Sequence, residues 1–227
     1  MRLGRKCSQE VRLSHVLTWE SFFCALYIQD CLLYTSILPN DLKKYKAIER
    51  FSPAALYRFY IPEMFLDLEK VIYLDGDTIT LLDIEKLWKI NIKDFAIAAV
   101  QDRIVKEKGI NGFSKNKFFE RIQILNNNYF NSGVLIFNLE KIRKNYNMKK
   151  ECFLFLEKNP DAPALDQDSL NFIFQKDCMF LNEIFNMPPD KFVDFSFLDV
   201  TNMECILHFH TWYKPWMTNR YPISRCV

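Results

Sequence analysis

Short runs of apolar, β-forming residues alternate along this chain with helical stretches. The clearest run is Val71-Ile72-Tyr73-Leu74, and further runs lie at 95–100, 134–137, 178–181 and 204–209. A run that is apolar on both faces is typical of a strand buried within a sheet. Because these strands alternate with helices, the sequence predicts an α/β fold with a mostly parallel central sheet flanked by helices.

Helices are predicted at 53–68, from about residue 139, at 147–158 and at 166–175. Pro62 should break or kink the first helix, because a proline inside a helix removes a backbone hydrogen bond. Asp166 is a candidate N-cap for the last one. Residues 103–128 are polar and rich in lysine, and long loops of this kind are often lids or binding loops. We therefore expect this loop to build the acceptor side of a site.

The composition excludes several classes of protein. Of the 227 residues, 49% are hydrophobic, which is enough for a folded core. The net charge of +2 gives no global signal for binding nucleic acid or an anionic membrane. Five glycines form no Gly-rich nucleotide-binding loop. Seven cysteines at irregular spacing argue against a disulfide scaffold or a zinc ribbon, and favour buried thiols in a reducing, cytoplasmic setting.

Neither end of the chain carries a clear membrane signal. The apolar stretch at 22–28 follows several basic residues, but it is too short to span a bilayer and no small-residue cleavage site follows it. After residue 216 only Arg220, Tyr221 and Arg225 remain as basic or aromatic residues. We therefore expect at most peripheral contact with a membrane.

The strongest local signal is Asp75-Gly76-Asp77, directly after the first apolar run. Residues i and i+2 of an extended segment point the same way, so both carboxylates can face the crevice beyond the strand, where open α/β sheets bind ligands. Two close carboxylates repel each other and need a cation nearby. Oxygen ligands at this spacing suit Mg²⁺ or Mn²⁺ bound together with a diphosphate, although Asp and Gly also favour plain turns.

Three further patterns place polar side chains at the ends of predicted elements. The run before His208 delivers an imidazole that can complete a carboxylate metal site, and Lys214 can hold a phosphate. Asn131 precedes the third run and can bond sugar hydroxyls. Asp-Gln-Asp at 166–168 opens a helix and can do the same. Taken singly, each pattern also has a structural reading, as an aromatic cluster, a turn into a strand or a helix cap.

Taken in order, these patterns resemble glycosyltransferase family 8, a retaining family with the GT-A fold that includes bacterial lipopolysaccharide galactosyl- and glucosyltransferases and glycogenin. The matching segments run from about residue 40 to 216 and are YRFYIPEMF, KVIYLDGDTI, YFNSGVLIFNL, LDQDSLN and HFHTWYKPW. Five blocks in one order are hard to match by chance. The resemblance implies a GT-A domain at 41–216, an atypical or truncated N-terminal segment at 1–40 and a short C-terminal tail at 217–227.

The resemblance also implies roles for individual residues. Asp75, Asp77 and His208 would ligate Mn²⁺, with Mg²⁺ as the alternative, and the ion would bridge the diphosphate of a UDP-sugar. These three residues, together with Thr211 and Lys214, would form the diphosphate site. The positions that match the donor-sugar site are Arg58, Asp102, Asn131, Ser132, Asp166 and Gln167. Of these, Gln167 and Asp166 would be catalytic, with Gln167 near the anomeric carbon.

The implied reaction moves glucose or galactose from a UDP-sugar to an oligosaccharide or lipid-linked glycan such as lipopolysaccharide core. We expect it in the cytoplasm, with at most peripheral contact with the inner face of the membrane. Retention by double displacement needs a carboxylate nucleophile, for which Asp166 and Asp168 are candidates. An amide such as that of Gln167 is a poor nucleophile, so we favour front-face attack by the acceptor hydroxyl.

Two departures from the family pattern keep other readings open. Thr211 stands where the family usually has glycine, and its Cβ would crowd the diphosphate. The family's N-terminal uridine-binding block is not found in residues 1–40, which would leave the uracil side of the pocket incomplete. One alternative is therefore a degenerate, weakly active or inactive binding module. A metal-dependent phosphohydrolase is another, but it does not explain Asn131 or Lys214.

Overall fold

The computed structural model describes residues 53–102, 120–124, 128–189 and 203–210. Their helices are α1 (Ile61–Met64), α2 (Glu85–Trp88), α3 (Leu139–Asn145), α4 (Met148–Lys158) and α5 (Leu165–Phe174), with 3₁₀ segments at Pro53–Tyr60 and Glu183–Phe185. Their strands are β1 (Lys70–Leu74), β2 (Thr78–Thr80), β3 (Ile97–Gln101), β4 (Phe130–Asn138), β5 (Cys178–Leu181) and β6 (Ile206–His208). The predicted α/β class is confirmed.

In the described part of the chain, the strand directions depart from the mostly parallel sheet that was predicted. Within the described residues the central sheet has the order β1-β4-β3-β5; β4 is antiparallel to β1 and to β3, while β3 and β5 are parallel. A second, two-stranded sheet pairs β2 with β6, also antiparallel. The prediction took the alternation of strands apolar on both faces with helices as a sign of parallel pairing. Burial of both faces requires only that both faces are covered, which an antiparallel strand also achieves.

Strand β4 shows how both faces are covered. Leu135 and Phe137 point into a core formed with α3, α4 and α5. Val134 and Ile136 point to the other side, into a smaller core that includes Leu87 of α2. Because successive side chains of a strand point to opposite faces, β4 separates the two cores.

One local prediction was confirmed and another was wrong. The helix predicted at 53–68 is divided beside Pro62: a 3₁₀ segment ends at Tyr60, and α1 begins at Ile61 with Pro62 in its first turn, where a missing N–H costs nothing. Asp166 is not the N-cap of α5, because Ala164 takes that position and Asp166 lies within the first turn. The N–H of Ala164 instead donates to a carboxylate oxygen of Asp168 (2.8 Å). Leu165 adopts φ 41°, a left-handed conformation that is strained for a leucine and that starts the helix at the Asp-Gln-Asp segment.

The described cysteines match the expectation of buried thiols. Cys152, Cys178 and Cys205 are free and buried, and burial raises the pKa of each thiol. The other four cysteines lie outside the described residues. Among the helices of the described part of the chain, none has the length and apolar character needed to cross a membrane.

Candidate active site

Asp75 and Asp77 lie in the tight turn that joins β1 to β2. The carbonyl of Asp75 accepts both the N–H and the hydroxyl of Thr78 (3.2 and 2.9 Å), and the N–H of Asp75 donates to Gly133 of β4 (2.7 Å). The two carboxylates are therefore brought together by a closed turn anchored to the sheet. The sequence argument expected an extended segment, which gives the same convergence by a different geometry.

Pairing of the two short strands brings His208 to the same turn. Thr78 of β2 lies opposite His208 of β6, and the N–H of Phe209 donates to the carbonyl of Asp77 (2.9 Å). The Nε2 atom of His208 lies 3.2 Å from a carboxylate oxygen of Asp77 and 3.6 Å from one of Asp75. One ligand atom from each residue lies within 4.8 Å of the other two. These three side chains could hold a metal ion.

Gly133 makes room for the imidazole. A Cβ built on Gly133 would lie 2.1 Å from Cε1 of His208 and within 2.7 Å of both ring nitrogens. The ring therefore lies directly against the backbone of β4, where any side chain at residue 133 would displace it. His208 is 2% exposed, so the ring has little space into which to move.

Arg58 connects the carboxylate turn to the start of α5. Its guanidinium, 4% exposed, bonds Asp75 (2.8 Å), Asp166 (3.0 Å) and both the carbonyl and the hydroxyl of Ser132 (2.8 and 3.0 Å). Burial lowers the pKa of Arg58, but Asp166 and Asp75 outweigh it and raise the pKa. Burial in turn raises the pKa of Asp166 against the opposing effect of Arg58. This geometry places the predicted residues Arg58, Ser132 and Asp166 together beside Asp75.

The amide side chains of Gln167 and Asn131 meet at Asp102. Gln167 accepts the N–H of Ser132 (2.9 Å) and donates to Asp102 (3.2 Å). Asn131 accepts the N–H of Gly133 (2.9 Å) and donates to Asp102 (3.3 Å). Two backbone N–H groups of β4 thus orient both amides, because a backbone N–H can only face an oxygen. All of the predicted sugar-site residues that were read from the sequence converge at this end of β4.

Asp168 is placed differently from the residues on either side. It is completely buried, and its two oxygens accept the hydroxyl of Tyr129 (2.5 Å) and the N–H of Ala164 (2.8 Å). Burial raises its pKa to about 6. Both oxygens are thus committed to holding α5 against β4, so a nucleophilic role for Asp168 would require this packing to open.

Three residues to which the sequence analysis gave no role touch the site. Asn186 bonds Nδ1 of His208 (2.9 Å) and Oδ1 of Asn131 (2.8 Å). Tyr73 donates its hydroxyl to Asp75 (2.7 Å), and burial raises its pKa well above the ordinary value. Gly133 stands within the Asn-Ser-Gly pattern, which could have drawn attention to it. Asn186 has no such local signal, because it is an isolated polar residue after Phe185.

Thr211 and Lys214 lie outside the described residues. Their neighbour His210 packs edge-on against His208, with 5.2 Å between the ring centroids. The loop predicted at 103–128 is described only at its C-terminal end. Two carboxylates and one imidazole, beside buried amides and an arginine, form a polar end to an otherwise apolar sheet, where a cation and a polyhydroxylated ligand could both be held.

The chain is similar in sequence to known proteins. The chain is 30% identical over 185 residues to general stress protein A of Bacillus subtilis, which covers 73% of this chain and 60% of that protein. It is 26% identical over 209 residues to lipopolysaccharide 1,3-galactosyltransferase of Salmonella typhimurium, covering 88% of this chain and 58% of that protein. The chain therefore spans a little over half the length of these relatives.

Solved structures of glycosyltransferases share the fold. The galactosyltransferase LgtC, solved with donor and acceptor sugar analogs, superposes with a TM-score of 0.63 at 24% identity, covering 85% of this chain and 69% of that one. This likeness confirms the predicted GT-A fold. The family model of glycosyl transferase family 8 matches residues 6–220, and so begins well before the motif resemblance at about residue 40. The chain belongs to glycosyltransferase family 8.

Proposed function

We propose that this protein is a metal-dependent, retaining glycosyltransferase that moves a hexose, glucose or galactose, from a UDP-sugar to a glycan acceptor. The observation that carries the proposal is the convergence of Asp75, Asp77 and His208 within 4.8 Å, beside the Arg58 network and the amides of Asn131 and Gln167. Family membership supports the same reaction class. The motif blocks on which the proposal rests lie within 41–216.

The donor set fits Mn²⁺ better than Mg²⁺. Asp75 and Asp77 offer hard carboxylate oxygens, which either ion accepts, whereas the imidazole of His208 favours a transition metal. Asp75 is held in place by Arg58 and Tyr73, and His208 by Asn186. A bound Mn²⁺ would neutralise the negative charge that builds on the departing diphosphate. Lys214 would add a second positive charge there, and Thr211 would lie beside the diphosphate.

The residues of this chain favour front-face attack over double displacement. Double displacement needs a carboxylate free to bond the anomeric carbon. Asp168 is completely buried, and Asp166 is engaged by Arg58 and Ser132. Gln167 accepts a backbone N–H through its oxygen, and an amide is a poor nucleophile. We therefore assign to Gln167 and Asp166 the positioning of the sugar, with the departing phosphate taking the proton of the acceptor hydroxyl.

The same geometry supports the remaining donor-site assignments, which we propose from the family resemblance. Arg58, Asp102, Asn131 and Ser132 would hold the sugar hydroxyls. The acceptor proposed is an oligosaccharide or lipid-linked glycan such as lipopolysaccharide core, by analogy with the Salmonella relative. We therefore propose a cytoplasmic reaction, with at most peripheral contact with the inner face of the membrane.

Calorimetric titration of UDP into the purified chain tests the proposal. We expect binding with Mn²⁺ and its loss with EDTA, followed by Mn²⁺-dependent release of UDP from UDP-glucose or UDP-galactose in the presence of acceptor. A phosphohydrolase would instead cleave a simple aryl phosphate with no need for a sugar. If the folded chain does not bind UDP in the presence of Mn²⁺, the proposal that it is an active transferase is refuted.

The second candidate is a binding module without turnover, which Thr211 favours because it replaces the family's glycine next to the diphosphate. Thr211→Gly distinguishes the two. If the Cβ blocks the diphosphate, this substitution should raise the affinity for UDP at least tenfold. If UDP affinity and turnover are already high in the unaltered chain, the binding-module reading is wrong.

A further inference from the structure

A chain of polar contacts leads from the backbone of β4 to the candidate metal site. It begins at the N–H of Gly133, passes through the side chains of Asn131 and Asn186, and ends at Nδ1 of His208. Asn186 is 4% exposed, so both ends of its amide are committed to these partners rather than to solvent. The donor and acceptor at each step can be worked out in order, starting from the backbone.

The direction of the first hydrogen bond in this series is unambiguous. The N–H of Gly133 can only donate, so the atom of Asn131 that lies 2.9 Å from it is its carbonyl oxygen. The same oxygen lies 2.8 Å from the amide of Asn186. Asn186 must therefore present its NH₂ to Asn131, which leaves its carbonyl oxygen facing His208 at 2.9 Å. An oxygen in that position requires a proton on Nδ1 of His208.

We propose that Asn186 is a positioning residue that fixes the tautomer of His208, with the proton on Nδ1 and the Nε2 lone pair directed at Asp75 and Asp77. The fixed direction of these hydrogen bonds matters because the two carboxylates, 3.6 and 3.2 Å from Nε2, would otherwise attract a proton to that nitrogen. A proton on Nε2 would occupy the lone pair that a cation needs. The proposal rests on the proposed function only in taking His208 as a metal ligand.

The backbone around Asn186 is held to the same strand that carries His208. The N–H of Met187 donates to Ile206 (2.8 Å), and the carbonyl of Met187 accepts the N–H of His208 (2.9 Å). The N–H of Asn186 itself donates to Glu183 (3.0 Å). Because both residues are fixed through their backbones, Asn186 can set the tautomer of the ring without depending on the ring for its own position.

The tautomer can be measured directly. The chain has three histidines, so ¹⁵N NMR of the metal-free, histidine-labelled protein can be assigned with His15→Gln and His210→Gln variants. At a pH where the ring is neutral, we expect His208 to carry its proton on Nδ1. In Asn186→Leu the proton should move to Nε2, because the carboxylates then provide the acceptor. Asn186→Asp, which keeps an acceptor oxygen but loses the NH₂, should retain the proton on Nδ1.

Metal affinity provides the second measurement. Free Mn²⁺ counted by electron paramagnetic resonance should show about 10- to 100-fold weaker binding to Asn186→Leu. Asn182→Leu is the matched control: Asn182 is exposed, caps the same 3₁₀ segment by accepting the N–H of Ile184 (3.1 Å), and is not in contact with the ring. It should leave both the tautomer and the Mn²⁺ affinity unchanged.

The NMR measurement and the Mn²⁺-binding measurement together separate this inference from the proposed function. A proton on Nε2 in the unaltered chain, or on Nδ1 in Asn186→Leu, overturns the role of Asn186 whether or not Mn²⁺ binds. The first of these needs no variant, so a folding failure of Asn186→Leu does not remove the test. If the unaltered chain shows the expected tautomer but binds no Mn²⁺, the proposed function fails and the assignment of the tautomer stands.

Discussion

The contact between Gly133 and the ring of His208 predicts a large effect from a single methyl group. In Gly133→Ala, Cβ would lie 2.1 Å from Cε1 of His208, whereas ordinary contacts begin at 3.4 Å. The ring must therefore withdraw by about 1.3 Å, since a well-packed interior offers no spare volume. The backbone of β6 is paired with β2 and bonded to Met187, so the ring has to rotate away from Asn186 or from the carboxylates.

The expected cost has two parts. Overpacking should lower the free energy of unfolding by about 1–3 kcal/mol. Misplacing His208 should weaken Mn²⁺ binding by about 10- to 100-fold, the range found when the support of a metal ligand is removed. Urea denaturation measures the first effect, and electron paramagnetic resonance of free Mn²⁺ measures the second.

Two further variants show whether the reasoning is right. Ala98→Val overpacks the smaller core opposite Ile136, three residues along β4 from Gly133, so it should lower stability by a similar amount without changing Mn²⁺ affinity. In a His208→Ala background, Gly133→Ala should cost little stability, because the clashing ring is gone. Wild-type Mn²⁺ affinity in Gly133→Ala, or an equal loss of affinity in Ala98→Val, would refute the argument.

Three more substitutions test the rest of the site. Asp77→Asn should lower Mn²⁺-dependent UDP release at least 100-fold and leave the urea midpoint nearly unchanged; equal turnover at saturating Mn²⁺ would remove Asp77 from the ligand set. Arg58→Met leaves Asp75 and Asp166 without their shared cation and should destabilise the fold by about 3–5 kcal/mol, and a change below 1 kcal/mol in urea denaturation would contradict this. Burial raises the pKa of Asp168 to about 6, so the folded state binds this proton more tightly than the unfolded state does. The wild type should therefore lose up to about 3 kcal/mol of stability as the pH rises from about 4 to 6. Asp168→Asn should abolish this pH dependence. Parallel denaturation curves for the two proteins across that range would exclude this contribution.

The sequence predicted well those features that depend on a local pattern of residues. The apolar run 71–74 and the Asp-Gly-Asp that follows it gave β1 and its polar end, since a buried run must stop where charged residues begin. The helices after residues 138 and 147 were found because their apolar residues repeat with helical spacing, and both are capped by asparagine. The candidate site residues came from the order of the motifs rather than from any one motif, and their roles stay predictions.

What the sequence could not predict depends on contacts between distant segments. The direction of β4 relative to its neighbours is not encoded in its apolar pattern, because the same residues are buried in either direction. Asn186 is 22 residues from His208 along the chain, and its contact with the ring exists only because the segment around Met187 pairs with β6. Asp168 looked equivalent to Asp166 in the sequence, yet Asp168 turns into the core toward Tyr129, whereas Asp166 turns toward Arg58.

The N-terminal end of β4 explains how one strand can serve both halves of the proposed reaction. The N–H of Ser132 orients Gln167 on the sugar side, and the N–H of Gly133 orients Asn131, which bonds both Asp102 on that side and Asn186 on the metal side. The carbonyl of Gly133 also accepts the N–H of Asp75. Because these groups are rigid parts of a central strand, a shift of β4 would move the side chains of the proposed sugar site and of the proposed metal site together. Substitutions at this end of β4 should therefore affect metal affinity and sugar transfer jointly. A substitution of Asp77, which lies in the turn between β1 and β2, should lower metal affinity first.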